Sequence, residues 1–141
     1  TMCLHAIAEV QAKGGVAAFV DAEHALDPYY AQNLGVDLSR LMIHQPDSGE
    51  KSFDVVEAWI EQGIDIIIID SVAAMATAFE QERDHEDKNK VGSLGLMWSN
   101  ALRKLTPKLG KSKTVLMLTN QLRMKIGSYG NPETTTGGNA D

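Results

Sequence analysis

A single cysteine, Cys3, in 141 residues leaves no intrachain disulfide framework to build on and suits a reducing compartment. Its thiol reads as a small packing residue rather than a nucleophile. No apolar run reaches membrane-spanning length; the longest are strand-sized, so the reading expects a cytoplasmic protein with no membrane partner. Acidic residues are missing from the whole stretch 88–132, which carries 9 of the 13 basic residues. Residues 1–87 show the reverse, with 17 of the 19 acids and 4 basic residues. The net charge of −6 argues against an anionic partner. Its distribution argues for one, because a stretch of one sign meets its partner locally whatever the total. A solvated basic helix face would give the same count. Also missing is any G-x-G-x-x-G, which counts against a dinucleotide enzyme with Glu23 on a ribose.

What is present is one domain's worth of chain, 43% hydrophobic, in which strand-like and helix-like runs alternate. Thr1 to Lys13 reads as a helix with Leu4, Ile7, Ala8 and Gln11 on one stripe, stopped by Gly14-Gly15. Val16 to Val20 is a short continuous apolar run and hence a buried parallel strand. Asp27-Pro28 has the form of a helix start, aspartate capping and proline first, so a short helix runs from Pro28 to Leu34. Leu41 to His44 is a weaker strand. A helix over about Ser52 to Gln62 turns Phe53, Val56, Trp59 and Ile60 inward. Ile66 to Ile69 is the most strand-like run of all. Phe79 to Lys90 is densely charged with no apolar stripe, an exposed segment. Val91 to Leu109 reads as the longest helix, ended by Gly110, with Trp98 in the core. Thr114 to Thr119 reads as a last buried strand. Asn120 to Asn139 follows with neither periodicity: a long glycine- and threonine-rich basic loop, of a length that is usually functional or else disordered.

Three strands thus end in polar groups: Asp21 and Glu23, Asp70, and Asn120-Gln121. Strands alternating with helices bring such ends to one edge of a parallel sheet, where open α/β folds bind ligands. An apolar run closed by aspartate, as at Asp70, is also how a nucleotide-bound Mg²⁺ is held, usually through water. Glu23 is placed to activate a water, Asp70 to hold a metal, and Gln121 to sense a terminal phosphate. The acidic turn at 21–24 serves equally as a cap, and the two uses stay open at this point. Arg123 and Lys125 head the basic loop, whose glycines and threonines suit a phosphate backbone.

Five blocks then closely resemble bacterial RecA recombinases: D-A-E-H-A-L-D-P at 21–28, Q-P-D at 45–47, I-I-I-I-D-S-V-A-A at 66–74, N-Q-L-R-M-K-I-G at 120–127 and G-N-P-E-T-T-T-G-G-N-A at 130–140. The resemblance runs in register over nearly the whole chain. It implies an α/β fold, a RecA-like P-loop NTPase core built on a mainly parallel sheet flanked by helices. The implied activity is a DNA-dependent ATPase that filaments on single-stranded DNA, pairs it with homologous duplex, exchanges strands and promotes cleavage of a self-cleaving repressor in the DNA-damage (SOS) response. ATP and Mg²⁺ are its implied cofactors; its implied partners are single- and double-stranded DNA, further copies of itself and that repressor. Position by position, Glu23 is the implied catalytic residue. Thr1, Asp27, Tyr30, Asp70 and Gln121 are implied at the nucleotide, with Asp70 also at the metal. Arg103, Arg123, Met124, Lys125, Ile126, Thr134, Gly137, Gly138 and Asn139 are implied at DNA. Two DNA loops are implied, around Glu82 to Gly92 and from Leu122 to Gly138.

The chain departs from the family pattern in several places. The phosphate loop G-x-x-x-x-G-K-[ST] is absent and by register would end just before Thr1. The expectation is therefore a partial core, residues 1–141 of a larger protein truncated at both ends, inactive by itself. Ser128-Tyr129 stands where the family has a longer apolar stretch, and Leu96 where it often has a basic residue. The alternatives are a hexameric helicase-like ATPase of the same superfamily, which leaves G-N-P-E-T-T-T-G-G unexplained, and a nucleotide-independent DNA-binding fragment using only the basic segment, whose DNA affinity ATP would not change.

Overall fold

The computed structural model describes residues 1–46, 49–76, 93–124 and 133–135. Helix α1 (Met2–Ala12) leads into strand β1 (Ala17–Asp21), then α2 (Pro28–Asn33), a 3-10 turn (Leu38–Arg40) and β2 (Leu41–His44). Helix α3 (Gly49–Glu61) precedes β3 (Ile66–Asp70), and residues 72–76 are helical. Helix α4 (Ser93–Lys111) precedes β4 (Val115–Leu118), and β5 (Leu122–Met124) pairs antiparallel with β6 (Glu133–Thr135).

Strands β1 to β4 form one parallel sheet in the order β2-β1-β3-β4. Successive strand residues point to opposite faces, and here both faces are covered. Ala18, Val20, Ile67 and Ile69 pack on one side with Val56, Trp59 and Ile60 of α3 and Trp98 and Leu105 of α4. Ala17, Phe19, Ile66 and Ile68 pack on the other with Leu4 and Ile7 of α1 and Ala31 of α2. That double burial is why β1 and β3 are written as unbroken apolar runs rather than alternating ones. Trp98 is core, set edge-on to Phe53 with ring centroids 4.9 Å apart. Asp27 caps α2 through Tyr30 N at 3.0 Å, with Pro28 in the first turn, as its sequence predicts. Gly35 and Gly63 follow α2 and α3 at φ +92° and +77°, the left-handed region glycine enters freely.

Three sequence expectations need correction. β4 is less buried than expected: among the described strands it pairs with β3 alone, and Val115 and Leu118 are exposed. Gly110 does not end α4, which runs to Lys111 and closes on Ser112, whose N–H donates to the carbonyls of Lys108 and Leu109. The stretch from Asn120 is not without structure, since Leu122, Arg123 and Met124 pair with Thr135, Thr134 and Glu133.

The basic segment is also partly spoken for. Lys104 bonds Glu57 and lies 3.8 Å from Asp54, and Lys108 bonds Glu57 and Glu61, which clasps α4 to α3. Hydrogen bonds from the two lysines hold the Glu57 carboxyl below its ordinary 4.5, and Glu57 in turn raises both ammonium groups. The carboxylate's contribution is complete above pH 4.5 and is lost as the pH falls through its lowered folded value. Glu57→Gln therefore lowers the urea midpoint modestly at pH 7, as exposed pairs do. The gap between variant and parent closes as the medium is acidified. A gap that stays constant down to acid pH would show that the clasp adds nothing.

Candidate functional site

The C-terminal ends of the parallel strands lie along one edge, with Asp21 of β1 directly opposite Asp70 of β3. At each tip a neighbouring strand end supplies a hydrogen bond to a carboxylate. Gln45, after β2, donates its amide N–H to Asp21 Oδ2 at 3.0 Å. Ser71, after β3, donates its hydroxyl to Glu23 Oε1 at 2.7 Å. Thr119, after β4, donates its hydroxyl to Asp70 Oδ1 at 2.6 Å. The spine is closed by Ala22 N–H donating to the Asp70 carbonyl at 2.8 Å.

The two acids of the first tip are placed differently: Asp21 caps the turn, and Glu23 does not. Asp21 is buried, 2% exposed, and accepts the backbone N–H groups of Ala25 at 3.0 Å and Leu26 at 3.3 Å beside the Gln45 amide. It folds residues 22–26 back over the strand end. Within that turn His24 takes φ 54°, the left-handed region. Glu23 leaves the turn exposed, tethered by Ser71 alone among the contacts described for it. The Ser71 hydroxyl also accepts Ala74 N–H at 3.3 Å, so it caps the helical residues 72–76 while it holds Glu23. The Asp70–Ser71 peptide is cis.

Beside this edge opens a cavity of about 340 Å³ lined by Thr1, Cys3, Leu26, Asp27, Tyr30, Asp70 and Thr119 among others. Thr1 Oγ1 and the Tyr30 hydroxyl are 2.8 Å apart and close one wall. The structure thus brings together four of the five residues expected at the nucleotide. Glu23 and Gln121 stand outside this lining, Gln121 exposed beyond β4 with its N–H on the Asn120 side-chain oxygen at 2.9 Å. Burial pushes the Cys3 thiol up, and the Asp70 carboxylate adds to the effect. A thiol so shifted stays protonated at neutral pH, which suits a packing residue rather than a nucleophile.

Of the residues expected at DNA, Arg103 is exposed on α4, on the sheet face opposite α1 and α2. Arg123 and Met124 lie on β5, and Thr134 lies opposite Arg123 on β6. Lys125, Ile126, Gly137, Gly138, Asn139 and the stretch 82–92 lie outside the described residues. Sequence reasoning missed Gln45, Ser71 and Thr119 as working side chains. Ser71 adjoins a strand-tip acid and Thr119 is the first polar residue past an apolar run, whereas Gln45 follows His44 and carries neither signal.

A hydrated Mg²⁺ is compatible with this donor set. Among the described residues no three acidic, histidine or cysteine side chains gather as a metal cluster. Mg²⁺ bound to a nucleotide needs none, since it keeps several waters and takes one or two carboxylates plus phosphate oxygens. Asp70, half-buried at the cavity, meets that requirement.

The model of the RecA N-terminal domain matches residues 1–141. Curated relatives named "Protein RecA" align over 99% of the chain: one from Prochlorococcus marinus at 54% identity, one from Parasynechococcus marenigrum at 55% and one from a Synechococcus species at 54%. The chain spans 37–38% of the length of these relatives. Among the described residues no helix is long and apolar enough to cross a membrane.

Proposed function

Since the chain belongs to the RecA family, we propose that it is the working edge of a P-loop NTPase core in a DNA recombination and repair protein, an ATPase that DNA activates. The proposed whole assembles on single-stranded DNA as a filament, pairs it with homologous duplex and exchanges strands. The observation that carries the reading is the pair of carboxylates, Glu23 and Asp70, set on adjacent strand tips beside a cavity walled by Thr1 and Tyr30.

In this reading Tyr30 and Asp27 contact the base, and Thr1 and Asp70 serve the phosphates and their metal. Mg²⁺, when bound, neutralises phosphate charge that would otherwise repel an attacking water. Asp70 holds its hydration shell. Glu23 takes the proton from the attacking water, and Ser71 keeps the acceptor oxygen in one orientation while it does so. Gln121, at the head of the β5–β6 ribbon, bonds the terminal phosphate and passes its presence to Arg123, Lys125 and the residues that follow. Arg103, Arg123, Met124, Lys125, Ile126, Thr134, Gly137, Gly138 and Asn139 are the proposed DNA contacts.

The nucleotide-independent reading is the weaker, because α3 already engages Lys104 and Lys108 of its basic segment. The two readings part on one experiment with the full-length protein: fluorescence anisotropy of a single-stranded oligonucleotide at fixed salt, with and without ATP. ATP tightens binding by a factor within the usual range of allosteric coupling, about 5–150-fold. In Gln121→Ala that factor collapses toward one while nucleotide binding persists. Tightening that survives in Gln121→Ala removes the sensor role, and a parent protein indifferent to ATP removes the proposed function.

A further inference from the structure

We propose that Thr119 is a positioning residue for Asp70. Its hydroxyl, offered from the end of β4, fixes the carboxylate that is to hold the hydrated metal and ties it to the segment leading to Gln121. The inference rests on the functional reading above.

Thr119 is pinned on both sides of Asp70 through its backbone. Its N–H donates to the Ile69 carbonyl at 3.1 Å, and its carbonyl accepts Val72 N–H at 2.9 Å. The hydroxyl has one proton and two acceptors in reach, Asp70 Oδ1 at 2.6 Å and Ile69 O at 3.4 Å. The nearer, charged oxygen takes it, at the short length typical of a hydroxyl on a carboxylate. Asp70 Oδ1 is thereby committed, which stops the carboxylate turning and leaves Oδ2 for the hydration shell of a cation. Both side chains line the same cavity, so the bond sits at the place where the metal is needed. Gln121 begins two residues later, so the anchor that steadies the carboxylate also fixes the origin of the proposed sensor.

Partners that orient a metal-holding side chain are worth about 10–100-fold in metal affinity, and the lower end applies where contact runs through water. The test uses the full-length protein, Mn²⁺ as the probe and a non-hydrolysable ATP analogue, with free Mn²⁺ read by electron paramagnetic resonance. Thr119→Val keeps the shape and removes the hydroxyl; Thr119→Ser keeps the hydroxyl. The expected result is an Mn²⁺ Kd raised about tenfold in Thr119→Val and within about twofold of the parent in Thr119→Ser. The urea midpoint of each variant is read alongside, and a loss of Mn²⁺ affinity in Thr119→Val without a matching loss of midpoint marks a positioning effect rather than a general loosening of the fold. Thr119→Ala makes the same comparison if the valine is not tolerated. Parent-like Mn²⁺ affinity in Thr119→Val overturns the inference and leaves the functional reading standing, as does a serine variant as weak as the valine. A parent protein with no nucleotide-dependent Mn²⁺ site overturns the functional reading itself, and the inference with it.

Discussion

Glu23→Gln in the full-length protein lowers ATP turnover by about 10²–10⁴-fold, the usual worth of a positioned general base, and leaves nucleotide affinity close to the parent's. The substitution is nearly isosteric. Ser71 still finds an oxygen acceptor in the new amide, so the turn at 22–26 keeps its shape. The amide has no useful basicity, so the water loses its proton acceptor and nothing else changes at the cavity, whose lining excludes Glu23. Single-turnover hydrolysis and equilibrium binding of a fluorescent ATP analogue separate the two effects. Normal turnover in this variant would remove Glu23 from catalysis. A parallel loss of affinity would mean that it holds the nucleotide instead.

The sheet, its parallel sense and the helices on both its faces were legible because double burial writes β1 and β3 as unbroken apolar runs. The cap at Asp27-Pro28 was legible because its chemistry is local. The partial exposure of β4 was not, because T-V-L-M-L-T is as apolar as a strand covered on both faces; what leaves Val115 and Leu118 exposed is packing from outside the strand's own sequence. The persistence of α4 through Gly110 was equally hidden, since Ser112 closes the helix from outside the residues that seemed to end it. At the site, Asp70 was readable from type and position, while Tyr30 and Asp27 entered only through the family resemblance; the cavity brings the three together. The division of labour between Asp21 and Glu23 was not. Two acids two residues apart look alike in sequence, and only the three-dimensional turn shows which one faces inward. Gln45 and Thr119 escaped for the same reason, because their partners come from neighbouring strands 24 and 49 residues away.

Asp21→Asn and Asp21→Ala test that division from the side of stability. Asp21 Oδ2 accepts both Leu26 N–H and the Gln45 amide, and Oδ1 accepts Ala25 N–H. An asparagine offers one acceptor oxygen and one NH₂ group. Whichever way it is turned, the NH₂ faces at least one donor and leaves a bond unmade in a site 2% exposed. Each buried group left unsatisfied costs about 1–3 kcal/mol, so Asp21→Asn loses about that much and Asp21→Ala, which strands all three donors, loses more. Urea unfolding followed by tryptophan fluorescence measures both, since Trp59 and Trp98 lie in the core on one face of the same sheet. Stability equal to the parent's in Asp21→Asn would show that the turn is held by other means. Because residues 22–26 carry Glu23 and supply Ala25 and Leu26 to the cavity wall, loosening them also weakens nucleotide affinity. That result is the reverse of the Glu23→Gln pattern, in which stability and affinity persist and turnover fails. The pair of variants therefore distinguishes a carboxylate that builds the turn from one that acts from it.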